Sequence, residues 1–290
     1  MSKSDTGVDG AIRQLVEVHF PWGPGLRPAG WEDRLAHVHR WLAQQAGIYR
    51  VIATGLIARI EPILTQLEHV LAASEPDRLF FRLDESHITK SPSSILEKMA
   101  REWLKDPTRA PPVSFHNLDQ LKDLGRFRIV ANFLDDVEVI ARYLEEPYDS
   151  TKLERLTPSQ RQLRKEFCLV DNRFEDLIAM PPERRGGGER CRKGWFSPWE
   201  AQLRGYRVEV QIVTLLQEAW DKKEHFLVYE PVRRGEHVPL EHRSICVDLS
   251  AQLALADRAF NRLKQEAQAR REQHARDKAL EGEETGHEAP

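Results

Sequence analysis

Chemistry in this chain begins with Tyr206 to Val213, YRVEVQIV, where polar and apolar residues alternate. As a strand it turns Arg207, Glu209 and Gln211 to one side and Tyr206, Val208, Val210 and Ile212 to the other. A carboxylate on a rigid strand, beside a guanidinium, suits metal or hydroxyl chemistry. Asp123, just ahead of a second alternating run, RFRIVANF from Arg126 to Phe133, supplies another carboxylate if the strands are neighbours. The same alternation also fits a solvated sheet face with cross-strand ion pairs. Ser94, Lys98, Arg101 and Lys105 follow one another at steps of 4, 3 and 4. On a helix they form one stripe able to hold a triphosphate, or a surface face with a Glu97–Arg101 pair. Arg184 to Lys193, RRGGGERCRK, has the backbone amides and cations of a phosphate cradle, and equally the composition of a mobile basic loop. Trp195 and Trp199 follow it and offer a base a stacking surface, or simply join the core. Glu218, Asp221 and His225 share a helical face. The histidine there reads as buried and satisfied against the sheet in preference to a metal ligand.

The elements that must position these residues are legible in outline. Trp31 to Gln45 and Ile48 to Ala73 read as helices, with Gly55 and Pro62 as kinks. Ala11 to His19 is a short amphipathic piece, and Pro21 to Gly30 a loop. Ser91 and Pro92 form an N-cap and N1 proline for a helix to about Asp106, which Pro107 to Pro112 ends. Further helices span Asp135–Leu144, about Leu215–Tyr229 and Val247 to about Asp277. Phe167 to Val170 is a short strand, Arg184 to Gly194 a loop, and Glu281 to Pro290 a disordered acidic tail. Strands mixed with long helices predict an α+β domain with a mixed sheet and helical flanks.

Composition narrows the function classes. The 290 residues are 40% hydrophobic, too apolar for a wholly disordered chain, and carry 43 Lys and Arg against 46 Asp and Glu. A net charge of −3 provides no global cationic field for nucleic acid or membrane. The longest apolar run, Val51 to Ala58, cannot span a bilayer, which takes about 20 residues. Three dispersed cysteines, Cys168, Cys191 and Cys246, suit neither a disulfide framework nor a zinc site, and point to a cytoplasmic location. No signal-peptide pattern opens the sequence, and HExxH, P-loop and GxGxxG motifs are missing. No histidine is followed by aspartate, so the His-Asp pair of a metal-dependent phosphohydrolase is missing too.

The order of the signals adds what no single one carries. Glu209-Val-Gln-Ile-Val-Thr214, then Glu218-Ala-Trp-Asp-Lys-Lys-Glu-His225 and Tyr229, resembles the RelA/SpoT synthetase domain, whose pattern there is EVQIRT followed by W…EH…Y. Lys90-Ser-Pro-Ser-Ser-Ile-Leu-Glu-Lys98-Met-Ala-Arg101 is similar to that family's RxK-S-x-x-S-I-x-x-K-x-x-R segment. Asp123-Leu-Gly-Arg-Phe-Arg128 is similar to its DIAGIR strand entry. The resemblance covers roughly residues 48–231 and is to the small single-domain synthetases. It implies a nucleotidyltransferase-like fold over residues 46–235, with a helical extension at 1–45 and a helix and tail at 236–290.

It also implies an activity. The β,γ-diphosphate of ATP moves to the 3′-hydroxyl of GDP or GTP, giving ppGpp or pppGpp and AMP. By resemblance, Asp123 and Glu209 are catalytic and hold Mg²⁺. Lys90, Lys98, Arg101 and Arg128 bind ATP, and Lys193, Trp195, Gln211 and His225 bind the acceptor. Lys193-Gly-Trp-Phe-Ser-Pro-Trp199 is the best match to the guanine-stacking loop NGYRSLH, with tryptophan replacing its tyrosine. Ile88, Val213 and Glu230 stand where the family has cations. Some small synthetases are toxins that act on adenosine nucleotides or on the 3′ end of tRNA. That acceptor, an antitoxin partner and an inactive nucleotide-binding module are therefore alternatives. Leu249, Leu253, Ala256, Phe260, Leu263 and Ala267 make a short heptad seam, for self-association through terminal helices or for docking on the chain's own sheet.

Overall fold

The computed structural model describes residues 31–72, 81–86, 88–104, 113–115, 117–121, 123–180, 188–233 and 236–285. The expectations for residues 11–30 and 107–112, and for residues 184–187 of the glycine-rich segment, lie outside them. Six strands form one mixed sheet: β1 (Phe81–Asp84), β2 (Gly125–Ala131), β3 (Phe167–Leu169), β4 (Glu175–Asp176), β5 (Arg192–Pro198) and β6 (Val208–Thr214). Their order is β1-β2-β6-β5-β3, with β4 paired to β5. The two alternating runs seen in the sequence, β2 and β6, are parallel neighbours at its centre, and the other pairings are antiparallel. Among the described residues no helix is long and apolar enough to cross a membrane.

Period-two alternation gives the sheet two unlike faces. Phe127, Ile129, Val210, Ile212 and Phe196 point into a core closed by α1 (Trp31–Ala72), α3 (Leu134–Glu145) and α4 (Pro158–Glu166). Leu56, Ile60, Ile63 and Leu64 of α1, Ile140 and Leu144 of α3 and Leu163 of α4 are fully buried there. Each such side chain contributes roughly 1.5–3 kcal/mol. The first half of α1 packs elsewhere. Val38, Leu42 and Tyr49 meet Ile95, Leu96, Met99 and Trp103 of α2 (Pro92–Leu104) in a second cluster. One continuous helix joins the two helical stretches read from the sequence, and it runs on through Gly55 and Pro62. Pro62 removes the hydrogen bond to the Ala58 carbonyl, but both residues lie on the exposed side, where water can satisfy it.

Close packing fixes one glycine. A Cβ on Gly194 of β5 would lie 2.8 Å from the Phe174 ring, which itself packs on Phe196. Gly194→Ala is expected to lower unfolding free energy by about 1–3 kcal/mol, the usual cost of overpacking. An unchanged denaturant midpoint would show that Phe174 moves aside freely.

The last helix departs from its sequence reading in two ways. After the single turn α6 (Glu230–Arg233), α7 (Leu240–Thr285) starts earlier than Val247 and continues through residues 281–285, which composition assigned to a disordered tail; residues 286–290 lie outside the described ones. It also docks by a different face. Ser250, Ala254 and Asp257 are buried, and Lys264 bonds Asp135 and Asp136 at 2.6 and 2.9 Å. Leu249, Phe260 and Leu263 of the heptad seam are about half exposed (44%, 55% and 52%). Leu253, Ala256 and Ala267 of the seam are half-buried, so it is the mixed stripe of Ser250, Ala254 and Asp257 beside it that packs most closely. Buried partners from distant segments, invisible to periodicity, decide which stripe faces inward.

Candidate active site

The second sheet face is polar. Because directly paired residues share a face, the register sets two rows. Arg126, Glu209 and Trp195 form one; Arg128, Gln211 and Lys193 form the other, with Asp84 and Glu175 at its ends. Glu209 and Gln211 are each only 4% exposed, which overturns the solvated-face alternative. β6 begins two residues later than the sequence suggests. Arg207 lies outside it, and Tyr206 donates to Gln45 Oε1 at 2.5 Å instead of continuing the strand.

Asp123 enters this face from the turn before β2. Lys90 is brought to it by backbone bonds that extend the sheet, Lys90 N to Leu124 O (3.0 Å) and Arg126 N to Ile88 O (2.8 Å). The Lys90 and Lys98 ammonium groups sit 2.5 and 2.7 Å from its two oxygens. Burial works to raise the Asp123 carboxyl, but the two cations outweigh it and hold it at about 2. Lys98 projects from α2, whose first turn Ser91 caps as expected, with Ser94 N 3.4 Å from Ser91 Oγ. Arg101 follows one turn along the same helix.

Glu209 is the opposite case. Burial raises its carboxyl, and the charges of Asp123 and Glu189 add to the rise against the opposing pull of Lys193. Gln211 ties the face together. It donates to Glu209 (2.6 Å) and to Glu189 (3.2 Å), and accepts from Arg128 Nε at 2.9 Å. Arg128 also pairs with Asp221 of α5 (Leu215–Glu224), and Arg82 with Glu218. Lys193 lies 3.0 Å from Glu189; burial pulls its ammonium down, but Glu209 and Glu189 push it above the usual lysine range.

The sequence reading needs correction at several points. Lys193 and Gly194 are not loop: they belong to β5, and Trp195 stands across the ladder from Glu209. Of the supposed phosphate cradle, Arg190 is buried against Asp257 (3.3 Å), and the half-buried Arg192 pairs with Asp176 (3.2 Å) and Glu138. Those two cations are structural. Trp199 turns away, its indole N–H donating to Arg164 O at 2.9 Å. His225 is not buried against the sheet. It is half exposed, stacked on Tyr229 and 3.5 Å from Glu230. His225 keeps the helical phase of Glu218 and Asp221, its N–H still bonding the Asp221 carbonyl, and a π-helical turn over His225–Tyr229 starts from it. Two residues at the site were missed. Glu189 is the single acid in RRGGGERCRK, which was its only signal. Asp84 ends a four-residue strand too short to announce itself.

No family model matches the chain, and no curated protein matches it in sequence. Solved structures do. The small alarmone synthetase 1 of Bacillus subtilis bound to its product pppGpp superposes with a TM-score of 0.54 at 21% identity, covering 80% of this chain and 99% of that one. A second crystal structure of that synthetase gives 0.50 at 20% identity, with the same coverage.

The chain has the small alarmone synthetase fold.

Its mixed sheet and flanking helices are those the resemblance implied. On this fold the polar face gathers Asp123, Lys90, Lys98, Arg128, Glu209, Gln211, Lys193 and Trp195, drawn from four separate stretches of sequence. Asp123 and Glu209 are both carboxylates, hard oxygen donors, and the charge of Asp123 raises Glu209. Both Asp123 oxygens face lysines, and among the described residues no three acidic, His or Cys side chains gather as a metal cluster.

Proposed function

We propose that this chain is a pyrophosphotransferase that moves the β,γ-diphosphate of ATP to the 3′-hydroxyl of GDP or GTP, releasing AMP. The observation that carries the reading is the pairing of a carboxylate held charged by two lysines, Asp123, with a buried carboxylate pushed up, Glu209, on one polar sheet face. Such transfer asks for positioning, opposing charge and a place for one proton. Lys90, Lys98, Arg101 and Arg128 bind the ATP phosphates. Glu209 takes the proton of the acceptor hydroxyl as its oxygen bonds to the β-phosphorus, and the bond from that phosphorus to the oxygen of AMP breaks. Asp123 and Glu209 would hold Mg²⁺, which when bound supplies charge neutralisation to the triphosphate. Lys193, Trp195 and Gln211 orient the acceptor, with His225 at the rim. The B. subtilis synthetase bound to pppGpp supports the choice of acceptor through shared fold.

One observation favours a second acceptor class. Val213, standing where the resembled motif has arginine, is buried with Val130 and Cys191 in an apolar cluster. With that cation replaced, an adenosine nucleotide or the tRNA 3′ end becomes the alternative acceptor. Incubation with ATP, Mg²⁺ and each of GDP, GTP, AMP, ADP and tRNA tests both readings. AMP released in step with a modified GDP or GTP supports the first; modification of tRNA or adenosine nucleotides alone selects the second. Trp195→Ala is expected to raise acceptor KM about 5- to 150-fold, since base stacking contributes about 1–3 kcal/mol. An unchanged KM would return Trp195 to a packing role.

A further inference from the structure

α7 carries none of the residues that the sequence marked for chemistry, yet it holds the segment that does. Ser250 Oγ donates to the Gly188 carbonyl at 2.7 Å. Asp257, seven residues and two turns further on the same face, accepts from Arg190 Nη1 at 3.3 Å. These contacts fall on the two neighbours of Glu189. The Gly188 backbone is pressed close, at φ +93, and a Cβ there would lie 3.0 Å from Ser250 and 3.2 Å from Trp220. The segment has no slack in that direction. Pinned on both sides, Glu189 turns its carboxylate to Lys193 (3.0 Å) and Gln211 (3.2 Å), and Gln211 bonds Glu209. Asp257 has a second task. It accepts from Thr214 Oγ1 at 2.8 Å, and that hydroxyl caps α5 by accepting from Gln217 N. α5 in turn presents Asp221 to Arg128. One buried carboxylate thus joins the Glu189 segment to the helix behind the ATP-side arginine.

We infer that Asp257 is a positioning residue for the transfer site, acting from α7 through Arg190 on Glu189, and through Glu189 on Lys193, Gln211 and Glu209. α7 is then part of the working site and not only a packing partner of α3 and α5. The inference rests on the transfer reading above.

A double-mutant cycle tests it. Asp257→Asn and Glu189→Gln are made singly and together in the full chain, and kcat and both KM values are measured. Each single variant is expected to lower kcat about tenfold with ATP KM within about twofold, and the pair to lie within about twofold of Glu189→Gln alone. Ser250→Ala, which releases one hydrogen bond and leaves the ion pair intact, gives the same non-additive pattern at smaller size and serves if Asp257→Asn fails to fold. Losses that multiply, or a lowered melting temperature with kcat unchanged, overturn the inference while the transfer reading stands. A wild-type chain that transfers to no acceptor overturns both.

Discussion

Glu209→Gln should abolish useful transfer, with kcat falling by about 10²–10⁴, the contribution of a well-placed general base. ATP affinity should stay within a few-fold. The substitution is nearly isosteric, and an amide oxygen can still accept from Gln211, which now donates to Glu209 at 2.6 Å. Lys193 keeps Glu189 as its counter-charge. What is lost is a carboxylate whose proton affinity burial has raised, and with it the destination for the hydroxyl proton. The cations assigned to ATP have other partners: Lys90 and Lys98 sit on Asp123, and Arg128 on Gln211 and Asp221. Single-turnover kinetics beside equilibrium binding of a non-hydrolysable ATP analogue separates the two effects. Loss of analogue binding would move Glu209 from the acceptor to the ATP side.

Asp123→Asn should damage both stability and activity. Two ammonium groups, one of them on a side chain only 12% exposed, would face a neutral amide. Removing one partner of a buried ion pair typically costs about 3–5 kcal/mol, chiefly because the other charge is left uncompensated. Asp123→Asn with Lys98→Met should recover part of that loss, since one stranded charge is gone, while transfer stays absent. The pH dependence carries the same signature. A carboxyl held at about 2 in the fold, below its unfolded value, contributes stability that is fully present above about pH 4. It is lost as pH falls through 2. The variant's stability should therefore decline less steeply over that window in denaturant titrations. Equal slopes would show that Asp123 is not held charged by its lysines.

The parts of the fold legible in sequence are those set by local pattern. β2 and β6 showed themselves by alternation, and α2 by its Ser91-Pro92 start. Alternation alone could not say that Glu209 and Gln211 are buried, because burial depends on what packs over the face, here Glu189 and Lys193, which a strand's own pattern does not name. β5 was hidden by Gly194 and its two cations, although Lys193, Trp195 and Ser197 do alternate with Gly194, Phe196 and Pro198. A helical wheel puts His225 on the face of Glu218 and Asp221, and its N–H does bond the Asp221 carbonyl, but a wheel cannot say whether anything covers that end of the face, and His225 is half exposed. The docking face of α7 was unreadable for a related reason. Its partners, Gly188, Arg190, Thr214, Asp135 and Asp136, lie far away along the chain, so the apolar seam was the visible feature and the mixed stripe the more closely packed one. Among the candidate site residues, Asp123, Lys90 and Lys98 converge as their order in the sequence suggested. Glu189 and Asp84 join the face without a motif to mark them.

The most direct test follows the β-phosphorus. ATP labelled at the β position is incubated with the full chain, Mg²⁺ and GDP or GTP, and the products are separated. If the chain transfers pyrophosphate, the label appears on the 3′ side of the acceptor and unlabelled AMP forms in equal amount. If the label instead stays with the adenosine nucleotide as ADP, or is released as inorganic phosphate or pyrophosphate, the account of this site is contradicted.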